Sequence, residues 1–195
     1  MDMSMCNLSV ALLHHPVYNK HRQVVTTAFT NLDIHDIART ARTFGLSRYY
    51  LVTPSLEQQQ LLQRVVNHWD NGWGATYNPD RREALSIVKV SANLAAAVAD
   101  LQQESGRKPV TIATGAAERP GSLSFQTLRE RLQQSDQQHL LLLGTGWGLT
   151  HELFEQADCI LEPIRGPGEY NHLPVRSALA IMLDRLVSAP HINAT

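Results

Sequence analysis

Residues 140–149 read Leu-Leu-Leu-Leu-Gly-Thr-Gly-Trp-Gly-Leu, an apolar run that ends in three alternating glycines, Gly144, Gly146 and Gly148. Glycine adopts positive φ and lets backbone N–H groups approach a ligand closely, so such a loop can cradle a nucleotide-like molecule. The same letters also describe a tight strand-to-helix turn packed by Trp147. A dinucleotide-dependent oxidoreductase is a further reading, because Glu162 falls about 18 residues after Gly144, where a ribose-binding acid belongs. Position weighs against it. A dinucleotide fold opens its sheet with this loop, whereas here one strand and one long helix follow, and the intervening helix, Thr150 to Ala157, is short. No Gly-Lys-Ser/Thr is present, which excludes a P-loop.

Two other stretches carry polar recognition chemistry. From Ile160 to Ala178 a strand feeds a Pro/Gly-rich loop that holds Arg165, Glu169, Tyr170, Asn171 and Arg176. Structureless loops of that length are often functional, although a plain surface connection is the simpler reading. From Asn31 to Gly45, Arg39 shares a helix with Asp36 and Arg42, where a solvated, salt-bridged face is the default. The nine histidines do not have metal-ligand spacing: His14 and His15 are adjacent, and His151-Glu152 lacks the second histidine of a zinc-protease helix. No Gly-x-Ser-x-Gly elbow appears, and neither Cys6 nor Cys159 has a nucleophile's context.

The elements that must position these residues alternate. Apolar runs read as buried strands at Leu8–Leu13, Tyr49–Thr53, Ile87–Val90, Val110–Thr114, Leu140–Leu143 and Cys159–Leu161. Helical spacing fills Asp33–Gly45, Ser55–Trp69, Asn93–Gly106, Ser124–Gln134 and Pro174–Val187, the last with proline at its first helical position. Asn71–Pro79 reads as a long surface loop. Strand–helix alternation predicts an α/β fold, an open parallel sheet with helices on both faces, in which ligands sit beyond the carboxyl ends of the strands. The loops Gly115–Leu123, Gly144–Leu149 and Glu162–Leu173 therefore matter most.

Composition bounds the class. The chain has 195 residues, 43% of them hydrophobic and 18% charged, enough for a sizeable core and a single domain spanning 1–195. With 17 basic and 18 acidic residues, its formal net charge of -1 gives no global field for nucleic acid, so any such binding needs a local patch. Lys20-His21-Arg22, Arg39/Arg42/Arg48 and Arg81-Arg82 are the candidates for that patch. The amino terminus carries Asp2 instead of a basic n-region, and no apolar run approaches the roughly 20 residues of a membrane span. A cytoplasmic protein without membrane contact is expected.

Taken in order, the three stretches resemble the three motifs of the SPOUT class of RNA methyltransferases, which use S-adenosylmethionine. Asn31 through Ile37-Ala-Arg39-Thr-Ala41 to Phe44-Gly45 resembles the first, Leu141 to Leu149 the second, and Glu162-Pro-Ile-Arg-Gly166 with Leu173-Pro-Val-Arg-Ser-Ala178 the third. The resemblance spans nearly the whole chain and is closest to a stand-alone family, some of whose relatives are fused to a tRNA (guanine-N1) methyltransferase. It implies a deep trefoil knot, with the knot and cofactor site in about 110–187, and a homodimer whose active site lies at the subunit interface. Carried onto this sequence, cofactor contacts fall on Thr114, Gly115, Leu143, Gly144, Gly146, Gly148, Ile164, Leu173 and Ser177. Arg39 and Asn31 would be catalytic, and Arg165 and Arg176 would hold an RNA substrate, tRNA or rRNA. The ribose-methylating branch has a glutamate where this chain has Thr145 and an asparagine where it has Pro174. The base aspartate of the guanine-N1 branch has no placed match. The resemblance thus implies methyl transfer to a base or ribose without naming the atom. It also leaves a second expectation, a catalytically idle cofactor-binding dimeric module.

Overall fold

Long apolar runs of Leu, Val and Ile need burial on both faces, and a parallel sheet sandwiched by helices supplies it. The computed structural model describes residues 6–188, so Asp2 and both ends of the expected domain 1–195 lie outside the described residues. In chain order the strands are β1 (Leu8–Leu13), β2 (Val17–Tyr18), β3 (Val24–Val25), β4 (Tyr49–Val52), β5 (Val88–Ser91), β6 (Val110–Ala113), β7 (His139–Gly144) and β8 (Cys159–Ile160). Six of them form one sheet in the order β5-β4-β1-β7-β6-β8, and every pairing in it is parallel. β1 and β7 pair over their full length, from Leu8 opposite His139 to Leu13 opposite Gly144. The sequence-predicted strands are all present, Leu8–Leu13 unchanged and the others with ends moved by at most a residue.

The helices are α1 (Asn31–Thr43), α2 (Leu56–Asp70), α3 (Trp73–Tyr77), α4 (Pro79–Leu85), α5 (Leu94–Ser105), α6 (Phe125–Gln134), α7 (His151–Gln156) and α8 (Val175–Val187). Along β1 the side chains alternate between two cores. Leu8, Val10 and Leu12 pack with α1, α2, α4, α6 and α8 on one face. Ala11 and Leu13 pack with α5 and α7 on the other.

Three local expectations change. α1 is capped by Thr30, not Asp33; Asp33 is the third helical residue and completes a capping box with Thr30. Pro174 is the residue before α8, with ψ 142, and not its first helical residue. Asn71–Pro79 is mostly helical. Gly72 opens α3, and the Asn78 side chain accepts from Arg81 N to cap α4, whose first residue is Pro79. Gly74 is a packing glycine, since a Cβ there would lie 2.8 Å from the Trp69 ring. The β2–β3 hairpin, too short to show as a pattern, is an addition.

Candidate cofactor and active site

At the carboxyl ends of β1, β6 and β7, where strand order reverses, lies a cavity of about 760 Å³. This is the place and size at which open α/β sheets hold small ligands. Its wall is built from the turn after β6, the glycine loop after β7, the segment between β8 and α8, and Thr27 and Ala28 from the stretch before α1.

The glycine loop is a tight return against the hairpin. A Cβ on Gly144 would lie 2.6 Å from Leu149 N, and one on Gly146 would lie 2.8 Å from Tyr18 O. Gly146 and Gly148 have φ of 59° and 94°, a region that L side chains rarely enter. Trp147 N donates to Tyr18 O at 2.8 Å, and Tyr18 N donates to Gly148 O at 3.0 Å, so the hairpin holds the loop by its backbone. The Thr145 hydroxyl lies 2.5 Å from that of Thr27 and donates to Leu13 O at 3.1 Å. Thr27 in turn sits 3.0 Å from His14 Nδ1. His14 is fully buried, and burial pushes its pKa down to about 4 against the opposing charge of Asp33.

The segment from Pro163 to Pro174 is fastened by few contacts. Asn171 Nδ2 donates to Ala116 O at 2.8 Å, and Arg165 pairs with Glu118. Among the described residues, the backbone N–H groups of Ile164 and Leu173 have no intramolecular partner, although both residues line the cavity. Gly146 N–H is likewise free. The cavity thus presents unspent backbone donors beside apolar side chains (Leu143, Ile164, Met182), which suits an uncharged heterocycle with acceptor nitrogens.

Thr114, Gly115, Leu143, Gly144, Gly146, Gly148, Ile164 and Leu173 all line this cavity; Ser177 does not, and is exposed on α8. The Thr114 hydroxyl and N–H both donate to Leu142 O, at 2.8 and 3.2 Å, which leaves its carbonyl for a ligand. Asn31 and Arg39 lie outside the cavity wall. Asn31 belongs to a shallower groove of about 440 Å³ with His35, Arg64, Val65, His68 and Trp69. Arg39 is exposed further along α1 and makes no ion pair among the described residues. Arg176 is engaged by Asp33 at 3.2 Å and Asp36 at 3.4 Å. The wall also contains Asp33 and Trp147, which lie within the first and second stretches but are not among the contacts the resemblance implies, and Thr27 and Met182, which no motif marked; only the fold brings the last two there.

Glu162 has a different task from the one the dinucleotide reading assigns it. Its carboxylate accepts from Phe125 N at 2.7 Å and so caps the first turn of α6. A carboxylate spent on a helix terminus is not a ribose ligand.

An open parallel sheet with a cavity of about 760 Å³ at its switch point defines a ligand-binding α/β protein. The chain belongs to a family of SAM-dependent RNA methyltransferases, whose model matches residues 7–188. It is 40% identical over 182 residues to an uncharacterized protein of Aquifex aeolicus, covering 93% of this chain and 89% of that one. It is 44% identical over 181 residues to a tRNA (guanine-N(1)-)-methyltransferase of Oleidesulfovibrio alaskensis, covering 93% of this chain but 42% of that relative's length. Among solved structures, TrmJ from Z. mobilis superposes with a TM-score of 0.61 at 17% identity, covering 94% of this chain and 69% of that one. The SpoU methyltransferase AviRb from Streptomyces viridochromogenes does so with 0.54 at 16% identity, covering 92% and 58%. The fold is that of the SPOUT class, and the cofactor of the family is S-adenosylmethionine. The residues present fit that group: a cavity of the right volume, a glycine cradle and free backbone donors. No helix of the described residues is long and apolar enough to cross a membrane.

Proposed function

We propose that this chain methylates a base or ribose of tRNA or rRNA as a cytoplasmic homodimer whose active site lies at the subunit interface. The observation that carries the reading is the cavity at the ends of β1, β6 and β7, with the unpartnered N–H groups of Gly146, Ile164 and Leu173 in its wall. Thr114, Gly115, Leu143, Gly144, Gly146, Gly148, Ile164 and Leu173 would hold S-adenosylmethionine there. The trefoil knot implied for about residues 110–187 belongs to the same proposal. It is supported by the SPOUT-class fold and by the way the wall gathers three loops of that segment.

S-adenosylmethionine, when bound, supplies a methyl already activated by its sulfonium, so most of the rate would come from positioning. That chemistry would leave the methyl on an oxygen or nitrogen of the RNA and release S-adenosylhomocysteine, and the proton of the methylated atom would pass to solvent. Arg39 supplies a guanidinium that grips a phosphate or the nucleophile and favours its deprotonated form. Arg39 starts about 9 Å along α1 from the cavity-lining Asp33, at 1.5 Å per residue. A second copy is therefore the natural source of the guanidinium at each cavity. Asn31, at the first turn of α1, would orient the same substrate. Arg165 and Arg176 would meet RNA phosphate by exchanging their present carboxylate partners for it.

The named relatives favour tRNA as the substrate class, while the guanine-N1 activity belongs to proteins of which this chain matches less than half. Thr145 and Pro174 both line the cavity where the ribose branch places a glutamate and an asparagine, which sustains the idle-module reading. Calorimetry with S-adenosylmethionine, followed by methyl incorporation into cellular RNA from labelled cofactor, separates the two. Incorporation that disappears in Arg39→Ala while cofactor affinity stays unchanged supports the enzyme. Tight cofactor binding with no incorporation into any RNA establishes the module.

A further inference from the structure

The groove between α1 and α2 has a feature that the methyl-transfer site does not use. It begins at Asn31, next to the cavity-lining Ala28 and Asp33, and runs past His35, Arg64 and His68 to Trp69. Trp69 is boxed in by His35 and His68, with ring centroids 5.7 and 5.3 Å away, and by the Arg81 guanidinium 5.0 Å from its ring. Gly74 brings α3 flush against the Trp69 ring, because its missing Cβ would stand 2.8 Å from Cε3. On top of that seat, Trp73 and Tyr77 stack with centroids 4.7 Å apart and planes inclined by 22°, exposed at 70% and 71%. Two large aromatic rings held parallel in solvent are a costly way to end a helix unless something covers them.

From this arrangement we infer that the α1–α2 groove and the Trp73–Tyr77 pair form a track for unpaired RNA nucleotides flanking the one presented to the cavity. The inference rests on the reading of the chain as an RNA methyltransferase and adds where the strand lies.

Charge picks RNA over a protein partner. Arg39 and Arg64 make no ion pair among the described residues, so both are free for phosphate. Of the acids on α1, α2 and α4, Asp36, Asp70 and Glu83 are each set against an arginine, namely Arg176, Arg82 and Arg42, while Asp80 and Glu57 have no ion-pair partner among the described residues. At the groove floor burial first, and the Arg81 and Arg39 charges after it, lower the His35 pKa against Asp36, so the cations of the groove are its arginines and not this imidazole. On the outer face of α2 that leads to the aromatic pair, Gln60, Gln63 and Asn67 are exposed beside Arg64, while the exposed apolar side chains of this helix, Leu56 and Leu61, stand toward its start, away from the pair. Exposed rings among basic and amide groups are what single-stranded nucleic acid takes, bases stacking on the rings and phosphates meeting the cations. The net charge of -1 is therefore no obstacle, because the cations are local.

The test is a fluorescence-anisotropy titration of the full chain with a labelled single-stranded oligouridylate and with bulk cellular tRNA. Trp73→Ala/Tyr77→Ala should weaken RNA binding about tenfold or more, the range for losing one or two stacked bases. Arg64→Ala should reduce the slope of log affinity against log salt by about 1. Both variants should keep the wild-type affinity for S-adenosylmethionine and the wild-type mass by light scattering, since the residues concerned are exposed. Wild-type RNA affinity in the double variant overturns the track and leaves the methyltransferase reading intact. A drop in mass shows that the face joins copies of the chain, and also overturns it. A wild-type protein that binds the cofactor but no RNA removes both readings together.

Discussion

The Arg176 guanidinium lies 3.2 Å from Asp33 Oδ1, tying the first turn of α8 to the first turn of α1 at the wall of the cavity. Asp33 is only 7% exposed, and its other oxygen accepts from the Thr30 hydroxyl at 2.7 Å. The carboxylate is thus spent on structure, and the loop that leads into α8 is held by it.

Arg176→Ala removes the cation from a carboxylate that water barely reaches. The arginine is itself partly exposed, which discounts the loss to about 1 kcal/mol of stability. Cofactor affinity should fall as well, because Leu173, Pro174 and Val175 line the cavity immediately before this anchor. Urea unfolding and calorimetry check the two effects, and Arg176→Lys should restore the stability in part.

The glycine loop gives a sharper contrast. At Gly144 a methyl group would meet the backbone of Leu149 and Gly148, and at Gly146 it would meet Tyr18 O in a positive-φ conformation. Gly148 has open space beside it, so only its φ of 94° resists substitution. Gly146→Ala should therefore abolish measurable cofactor binding and cost about 2–3 kcal/mol. Gly148→Ala should cost about 1 kcal/mol and weaken binding less. Thermal melts and calorimetry on the two variants would order them.

The strands were legible because six apolar runs separated by capped amphipathic stretches admit little besides a parallel α/β sheet. The glycine loop and the Ile164 and Leu173 positions were legible because motif order carries them. Thr27, Asp33 and Met182 were not, because each reaches the cavity from an element remote in sequence, and an isolated Thr or Met bears no mark of that. α3 and α4 were hidden for a different reason. Gly72, Gly74, Asn78 and Pro79 spell a loop locally, and only packing on Trp69 and the Asn78 cap convert them into helix starts. The pairing of Arg176 with Asp33 and Asp36 was not legible either, because the two carboxylates stand some 140 residues away in sequence.

Glu162 distinguishes a structural acid from a ribose ligand. Its bond to Phe125 N satisfies a donor of the first turn of α6, in the favourable field of the helix amino terminus. Glu162→Ala should lower stability by about 1 kcal/mol and leave S-adenosylmethionine affinity unchanged. Loss of cofactor binding without loss of stability would return Glu162 to the site.

His14 makes stability depend on pH with a definite sign. The imidazole is fully buried, its Nδ1 bonded to Thr27 and its Nε2 without a partner among the described residues, so the fold takes it neutral. Its pKa falls from 6.5 to about 4, mainly by desolvation. Between those values the unfolded chain binds a proton that the folded one refuses, so stability is full above the unfolded pKa and declines as pH falls toward about 4. At about 1.4 kcal/mol per pH unit, acidification from about 6.5 to about 5 removes roughly 2 kcal/mol through this one residue. The half-buried His35 and the buried His139 shift the same way and add to the slope. His14→Asn keeps a polar group beside Thr27 but cannot titrate, so its stability should change less over the same interval. Urea unfolding of both proteins at the two pH values measures the difference, and equal slopes would mean that His14 is solvated in the folded protein. Because His14, Thr27 and Thr145 form one chain behind the glycine loop, cofactor affinity should weaken over the same interval in the wild type and hold in the variant.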